Sequence, residues 1–330
     1  MRKVTLADVA ARVGVSAKSV SNVVNGTGWV GDEVRAKIEQ AIADLGYRPN
    51  LAARQLRNGR SGLIALVLPD LREPYFAEFA SQFVARAQNR SLTVLIAQTS
   101  GDRAAEQRMM EGEGLPALDG IVLSPLRLTA ADLDKRRSGT PLVLIGEEAE
   151  GLASAGMQHV GIDNAEAAEA ATAHLIGRGR RRIAAVGRQN TGATATARLR
   201  FEGYRRALEA HGISLDERLV ATVPRFGRAE GSQAVQQLLD DGADFDALFC
   251  FSDSLALGAL YTLGANGIDV PGRVEVMGFD GIEEGRFMIP AFSTVNPGVQ
   301  EAADTILDNL TSPDPAPDGH HRVPYTLVIR

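Results

Sequence analysis

From residue 63 onward the chain repeats one unit: a short apolar run, then a helix-length amphipathic stretch, then another apolar run. The runs fall at residues 63–68, 92–97, 120–123, 142–145, 183–186, 219–223, 247–251 and 274–278. Runs this short, without polar alternation, are those of strands buried on both faces, and parallel strands need a crossover of about a dozen or more residues between them. A right-handed βαβ succession is therefore expected, giving an α/β body with one large parallel sheet or two of five or six strands. No repeat period appears, and residues 312–317, Ser-Pro-Asp-Pro-Ala-Pro, are expected to form a stiff surface linker.

The first 46 residues have a different texture and predict three short helices. Thr5 is placed to cap the first, with Asp8 as the acidic half of a capping box. Val13-Gly14-Val15 makes a turn, Ser16 caps a second helix over 17–25, and Asn25-Gly26 stops it. A third helix is expected over 32–45, with Val34, Ile38, Ala41 and Leu45 at helical spacing. Charge divides the same way: residues 1–60 hold ten Lys/Arg against five Asp/Glu, and the remainder 25 against 36. A basic head on an acidic body points to a polyanionic partner for the head alone.

In the second helix Val20, Val23 and Val24 share one face, while Ala17, Lys18, Ser21, Asn22 and Asn25 share the other. Packed by its valines, such a helix presents Lys18 and Asn22 side by side. Lysine donates to guanine O6/N7 and asparagine pairs with adenine N6/N7, the chemistry of a major-groove reader. The Ala10, Gly14, Val20 spacing is that of a helix-turn-helix; a three-helix bundle with a solvated face carries the same spacing.

The segments Val4-Thr5-Leu6-Ala7-Asp8-Val9-Ala10, Gly14-Val15-Ser16 and Val20-Ser21-Asn22-Val23-Val24-Asn25 closely resemble the head of the LacI–GalR repressor family. Leu45-Gly46-Tyr47-Arg48-Pro49-Asn50, followed by Ala53-Arg54-Gln55-Leu56, resembles that family's helix end and hinge. The resemblance runs through essentially the whole chain. It implies base reading at Ala17, Lys18 and Asn22, with Thr5, Ser16, Ser21, Asn25 and Trp29 also at the DNA. Ala17 offers only a methyl contact. Gly31 departs from the family's usual serine, so a phosphate contact there is lost or Asp32 caps alone.

Residues 50–58 form a short alanine-containing segment, and isolated helices below ~12–15 residues are marginal in water. By resemblance, two such hinges fold together on the operator, and paired Leu56 side chains wedge into the minor groove. Asn50, Ala53, Arg54 and Arg57 join that contact set. The implied organisation is a DNA-binding domain over 1–47, a hinge helix over 48–60, and an effector-binding and dimerisation core over 61–330. The core resembles a periplasmic-binding-protein type I fold of two doubly wound parallel-sheet lobes, an N-lobe of about 61–163 and 295–322 and a C-lobe of about 164–294 and 323–330.

Ligands of such sheets sit at the carboxyl ends of strands. A sugar needs charged acceptors, a bidentate donor for hydroxyl pairs and an aromatic face for its C–H side. The resemblance carries the ligand role onto Arg200, Ser252, Asp280 and Phe226, and also onto Asp70, Phe76 and Glu147. Tyr75 is placed to stack or to bond, and Thr196 belongs to the segment that matches the family's polar-Ala-Arg-x-Arg pattern. Asp163-Asn164 are read as helix caps and Asp253 as holding its loop. Thr294-Val295-Asn296-Pro297 is one residue short of the family pattern, leaving the ligand contact at the third crossover open.

The partners expected are operator DNA, a small effector that is a sugar, and a second copy of the chain. A corepressor-dependent regulator with a nucleobase-like ligand is the alternative, and a solute-binding protein a further one. No cofactor and no metal are expected. Gly112-Glu113-Gly114 follows no strand and lacks a third glycine, and the five histidines have no His-Glu-x-x-His or Cys-x-x-Cys partner. His320-His321, behind the proline-rich stretch, are expected to be solvated. The single cysteine, Cys250, forbids an intrachain disulfide and lies inside an apolar run, as a packed residue would. No secretory signal opens the chain and no run of about eighteen apolar residues occurs, so a cytoplasmic protein outside the membrane is expected.

Overall fold

The computed structural model describes residues 4–47, 60–146, 157–190, 193–312 and 319–330. They fall into two compact units, one within residues 1–61 and one within 62–330.

The first unit holds α1 (Leu6–Val13), α2 (Ala17–Asn25) and α3 (Asp32–Leu45). The predicted capping box is present: Thr5 Oγ1 accepts from the Asp8 amide at 3.3 Å, and the Asp8 carboxylate accepts from the Thr5 amide at 2.8 Å. Gly14 adopts φ 76°, a left-handed conformation that lets the chain reverse between α1 and α2. Val9, Ala10, Val20, Ile38, Ala41 and Tyr47 close a small core, so the valine face of α2 is the packed one. Gly31 precedes α3 with no side-chain cap, so Asp32 does not act as one.

The second unit begins with β1 (Leu63–Leu68), α4 (Pro74–Asn89), β2 (Thr93–Gln98), α5 (Arg103–Glu111), β3 (Gly120–Leu123), α6 (Ala130–Leu133) and β4 (Leu142–Ile145). It continues with β5 (Gln158–Gly161), α7 (Asn164–Gly177), β6 (Ile183–Arg188), α8 (Ala195–Ala210), β7 (Val220–Thr222), α9 (Arg228–Asp240) and β8 (Ala247–Cys250). The last elements are α10 (Asp253–Ala265), β9 (Glu275–Phe279), α11 (Glu284–Phe287), β10 (Ser293–Asn296), α12 (Val299–Thr311), β11 (Gly319–Arg322) and β12 (Thr326–Val328).

These strands form two six-stranded sheets, ordered β11-β5-β4-β3-β1-β2 and β12-β10-β9-β8-β6-β7. The pairings are parallel except β10–β12, an antiparallel edge that departs from the all-parallel expectation. The chain crosses between sheets after β5, after β10 and after β11. β3, β4 and β8 are buried at every residue, as their unbroken apolar sequences require. In each sheet the order reverses beside the first strand, at β1/β3 and at β6/β8. That switch opens a crevice at the strands' carboxyl ends.

One expectation fails at an edge. His320 is not simply solvated: its ring stacks on that of buried His159, centroids 4.6 Å apart, with the two Nδ1 atoms at 2.7 Å. β11 pairs with β5 in a register that sets the two residues opposite each other. No helix among the described residues is long and apolar enough to cross a membrane.

Candidate functional site

In the head, Thr5, Ser16, Ala17 and Lys18 are exposed, and Trp29 is 91 % exposed. Asn22 is half-buried; a Cβ on Gly28 would sit 2.7 Å from its Nδ2, so a side chain there would push the Asn22 amide aside. Ser21 departs from the outward-face expectation: only 8 % of the residue is exposed. Asn25 ends α2, and Gly26 follows in the left-handed conformation. Asn50, Ala53, Arg54, Leu56 and Arg57 lie outside the described residues, as does Glu147.

In the second unit, a cavity of about 420 Å³ opens where the two sheets' carboxyl ends face each other. Asp70, Tyr75 and Phe76 line it from the first lobe, and Thr196, Arg200, Phe226, Ser252 and Asp280 from the second. Every described residue that sequence reasoning assigned to the effector therefore reaches one space.

Arg200 forms its floor. Thr194 caps α8 by accepting from the Ala197 amide, and within that helix Thr196 and Arg200, four residues apart, fall on the same face. The Arg200 side chain is held on three sides. Nε donates to Asn164 Oδ1 at 2.9 Å, Nη1 donates to the Phe251 carbonyl, and the guanidinium lies 3.4 Å from the centre of the Phe279 ring. Its Nη1 also stands 3.5 Å from Asp280 Oδ1, an ion pair whose side chains are 10 % and 14 % exposed. Burial pushes the Asp280 carboxyl well above the usual carboxylate range, and the Arg200 charge opposes that shift. Asp280 also holds φ 126°, which a residue other than glycine rarely adopts.

Behind the pair, buried Asp253 binds the surrounding loops. Its Oδ1 accepts from Thr294 Oγ1 at 2.6 Å and its Oδ2 from the Ile282 amide at 2.9 Å. That is the loop-holding role expected of it. A Cβ on Gly278 would sit 2.0 Å from the Asp253 carboxylate, so the glycine makes the burial possible. Ser252 caps α10, accepting from the Leu255 amide at 3.1 Å.

Toward the mouth, Phe226 meets Phe251 edge-on at 6.5 Å, and Arg225 pairs with Glu230 at 2.6 Å. On the facing lobe, Arg72 pairs with Asp70 at 2.7 Å and holds the Asp70 carboxyl below its ordinary range. Burial pushes the Tyr75 phenol up to about 12, with the Asp280 carboxylate adding to the shift. Asn296 turns away to accept from the Gly298 amide at 3.0 Å, and Pro297 lines the cavity at the crossing after β10, the second of the three rather than the third.

Sequence reasoning missed three participants. Asn164 does not cap its helix; Asp163 does, and Asn164 carries Arg200 instead. Glu73, at the start of α4, accepts from Ser254 Oγ at 2.7 Å and so joins the two lobes across the cleft. Glu78, a turn later, accepts from the Glu283 amide at 2.8 Å and makes a second such bridge. No local pattern marks these contacts.

A three-helix head with an exposed polar reading helix, joined in one chain to a two-lobed α/β unit with a charged interlobe cavity, defines a ligand-responsive DNA-binding regulator. Residues 5–50 match the family of bacterial regulatory proteins of the lacI type, and residues 172–330 match the periplasmic binding protein-like domain. The transcriptional regulator AscG of Escherichia coli K12 is 32 % identical over 93 % of this chain and 90 % of its own. The repressor CytR of the same strain is 31 % identical over 88 % and 84 %. A solved complex of the regulator CelR with cellobiose is 30 % identical, covers 99 % of each chain and superposes with a TM-score of 0.69. The chain belongs to the LacI family of DNA-binding transcriptional regulators. These relatives are regulators rather than enzymes.

Proposed function

We propose that this regulator is a repressor that holds a palindromic operator as a homodimer and is released by a small sugar bound between its lobes. The observation that carries the sugar reading is the Arg200–Asp280 pair, 3.5 Å apart on the floor of a cavity walled by Phe226, Phe76 and Tyr75. A guanidinium and a carboxylate there offer donor and acceptor to adjacent hydroxyls, and the rings offer faces for the C–H side. Thr196, Ser252 and Asp70 complete the polar lining, with Glu147 assigned by resemblance. The bound cellobiose of CelR and the repressor role of CytR agree with this assignment.

In the head, exposed Lys18 and half-buried Asn22 read bases, Ala17 offers a methyl, and Thr5, Ser16, Asn25 and Trp29 approach the backbone. Buried Ser21 is left out of the base-reading set. The segment 48–60, with Asn50, Ala53, Arg54, Leu56 and Arg57, acts as the hinge that folds against the minor groove. A head with about two strong reading side chains needs a double site, which a dimer supplies. The protein then acts in the cytoplasm, beside the DNA.

The test is operator binding by the pure protein against a panel of sugars and nucleobases, with sedimentation in parallel. Release of operator by a sugar supports the reading. Binding strengthened by a nucleobase replaces it with a corepressor, and a stable monomer at micromolar concentration removes the dimer.

A further inference from the structure

The effector cavity says more about its occupant than that it carries hydroxyls, and the following rests on the sugar reading above. We propose that the effector is an uncharged disaccharide, one ring on the Arg200–Asp280 floor and the second at the mouth beside Phe226, between the Asp70–Arg72 and Arg225–Glu230 pairs.

Size is the first ground. At the packing density of organic solids, ~0.75, a hexose of about 12 non-hydrogen atoms fills roughly 200 Å³ and a disaccharide of about 23 roughly 350 Å³. The cavity offers about 420 Å³. A hexose alone leaves space for about seven waters at ~30 Å³ each, whereas a disaccharide leaves room for about two. Interiors and good sites close at the density of solids, so the larger ligand fits the space as built.

Shape is the second. The floor is polar and buried, whereas Phe226 stands nearer the exposed Pro224 and Arg225, against the edge of Phe251. The Phe251 carbonyl in turn holds Arg200, so floor and aromatic wall are consecutive parts of one surface. A first ring bonded at Arg200 thus leaves Phe226 to a second.

Charge is the third. Arg200 faces Asp280, Arg72 is bound by Asp70 and Arg225 by Glu230. Arg127, also on the lining, acts on the buried Glu106 carboxylate. The Arg225 charge reaches Asp70 across the mouth, so the two rim pairs face each other and neutralise one another. A phosphate or carboxylate on the effector would bring its charge beside the Asp70, Glu230 and Asp280 carboxylates, with each of these arginines already paired. A neutral ligand keeps every pair.

The experiment is titration calorimetry of the full chain with neutral disaccharides (cellobiose, maltose, lactose, sucrose), their constituent hexoses, hexose 6-phosphates and nucleosides. The expected result is a disaccharide that binds at least about tenfold tighter than either of its hexoses and than any phosphate. Phe226→Ala then brings that disaccharide down toward the affinity of its hexose. A hexose or a hexose phosphate that binds as tightly as every disaccharide overturns the proposal and leaves the sugar reading standing. Binding of the disaccharide undiminished in Phe226→Ala overturns the placement of the second ring. Nucleoside binding in place of sugar, or no binding across the panel, sinks the sugar reading and this inference with it.

Discussion

Replacing Arg200 by lysine keeps the charge on the cavity floor and removes the geometry. The guanidinium now serves Asn164, the Phe251 carbonyl and Asp280 at once and lies flat on Phe279. An ammonium is a point donor on a shorter reach and can serve one or two of these. Hydrogen bonds to charged groups contribute about 1.5–3 kcal/mol each, so losing one or two of them costs the folded sensor about 1.5–6 kcal/mol. For the effector, loss of one charged hydrogen bond of that size is a drop of about 10–150-fold in affinity. Operator binding without effector should stay as in the wild type, since no part of the head is changed. The variant should then repress at effector concentrations that release the wild type. Calorimetry gives the affinity, mobility shift on operator with rising effector gives the response, and thermal melting checks the fold. Asn164→Ala is the companion: it frees Arg200 without removing it and should fall between wild type and Arg200→Lys. An Arg200→Lys protein that responds at wild-type effector concentrations refutes the anchor assignment, and the cavity floor must then be read again.

Three further outcomes are expected. Asn22→Ala should weaken true operator by about 1–3 kcal/mol and relax preference at one base pair per half-site; equal weakening on random DNA in competition assays would count against base reading. Trp29, the only tryptophan and 91 % exposed in the head, should change emission when operator binds and hardly at all with effector alone. Asp280 gives a pH dependence whose sign follows from its raised pKa. The ionised carboxylate accepts effector hydroxyls and the protonated one does so poorly, so affinity should fall as pH is lowered from about 8 to about 5. Asp280→Asn should bind more weakly and lose that slope, and a slope retained in the variant would place the titrating group elsewhere.

The central strands were legible because burial on both faces leaves an unbroken apolar run, as in Leu63–Leu68 and Ala247–Cys250. The edges were not. β5 reads Gln-His-Val-Gly and β11 Gly-His-His-Arg, and the two pair across some 160 residues of sequence. A strand that owes its place to so distant a partner has no local signature. For the same reason His320 was read as solvated when it stacks on His159. The caps and turns of the head were legible to the residue because they are local: Thr5, Ser16 and Gly14 act within four positions of themselves, whereas Ser21, expected on the outward face, is buried. At the cavity, side-chain type and family pattern pointed to Arg200 and Asp280. What steadies them, Asn164, the Phe251 carbonyl and the Glu73–Ser254 bridge, is lateral and appears only once the lobes are assembled.

The floor of the cavity is an expensive arrangement for a protein that needed only to fold. Arg200, Asp253 and Asp280 place three ionisable groups in or beside the core, and Asp280 stands in a backbone region that costs about 1–3 kcal/mol. Two glycines open the space: a Cβ on Gly187 would lie 2.5 Å from Phe251, and one on Gly278 2.0 Å from Asp253. Buried ion pairs of this kind can often be replaced by apolar residues without loss of stability. Their retention is explained if the network is held ready for a ligand that completes it. Asp280 faces Arg200 on its own lobe and Tyr75 on the other, so hydroxyls entering between them add partners to both lobes at once. Glu73, the N-cap of α4, and Glu78, in its second turn, already tie the lobes at one side of the cleft. A ligand that adds bonds at the floor therefore acts on lobes that are tethered along that side. Were it to shift the balance between two arrangements of the lobes about those bridges, a change of about 1–3 kcal/mol in that equilibrium is the size of coupling that regulators use.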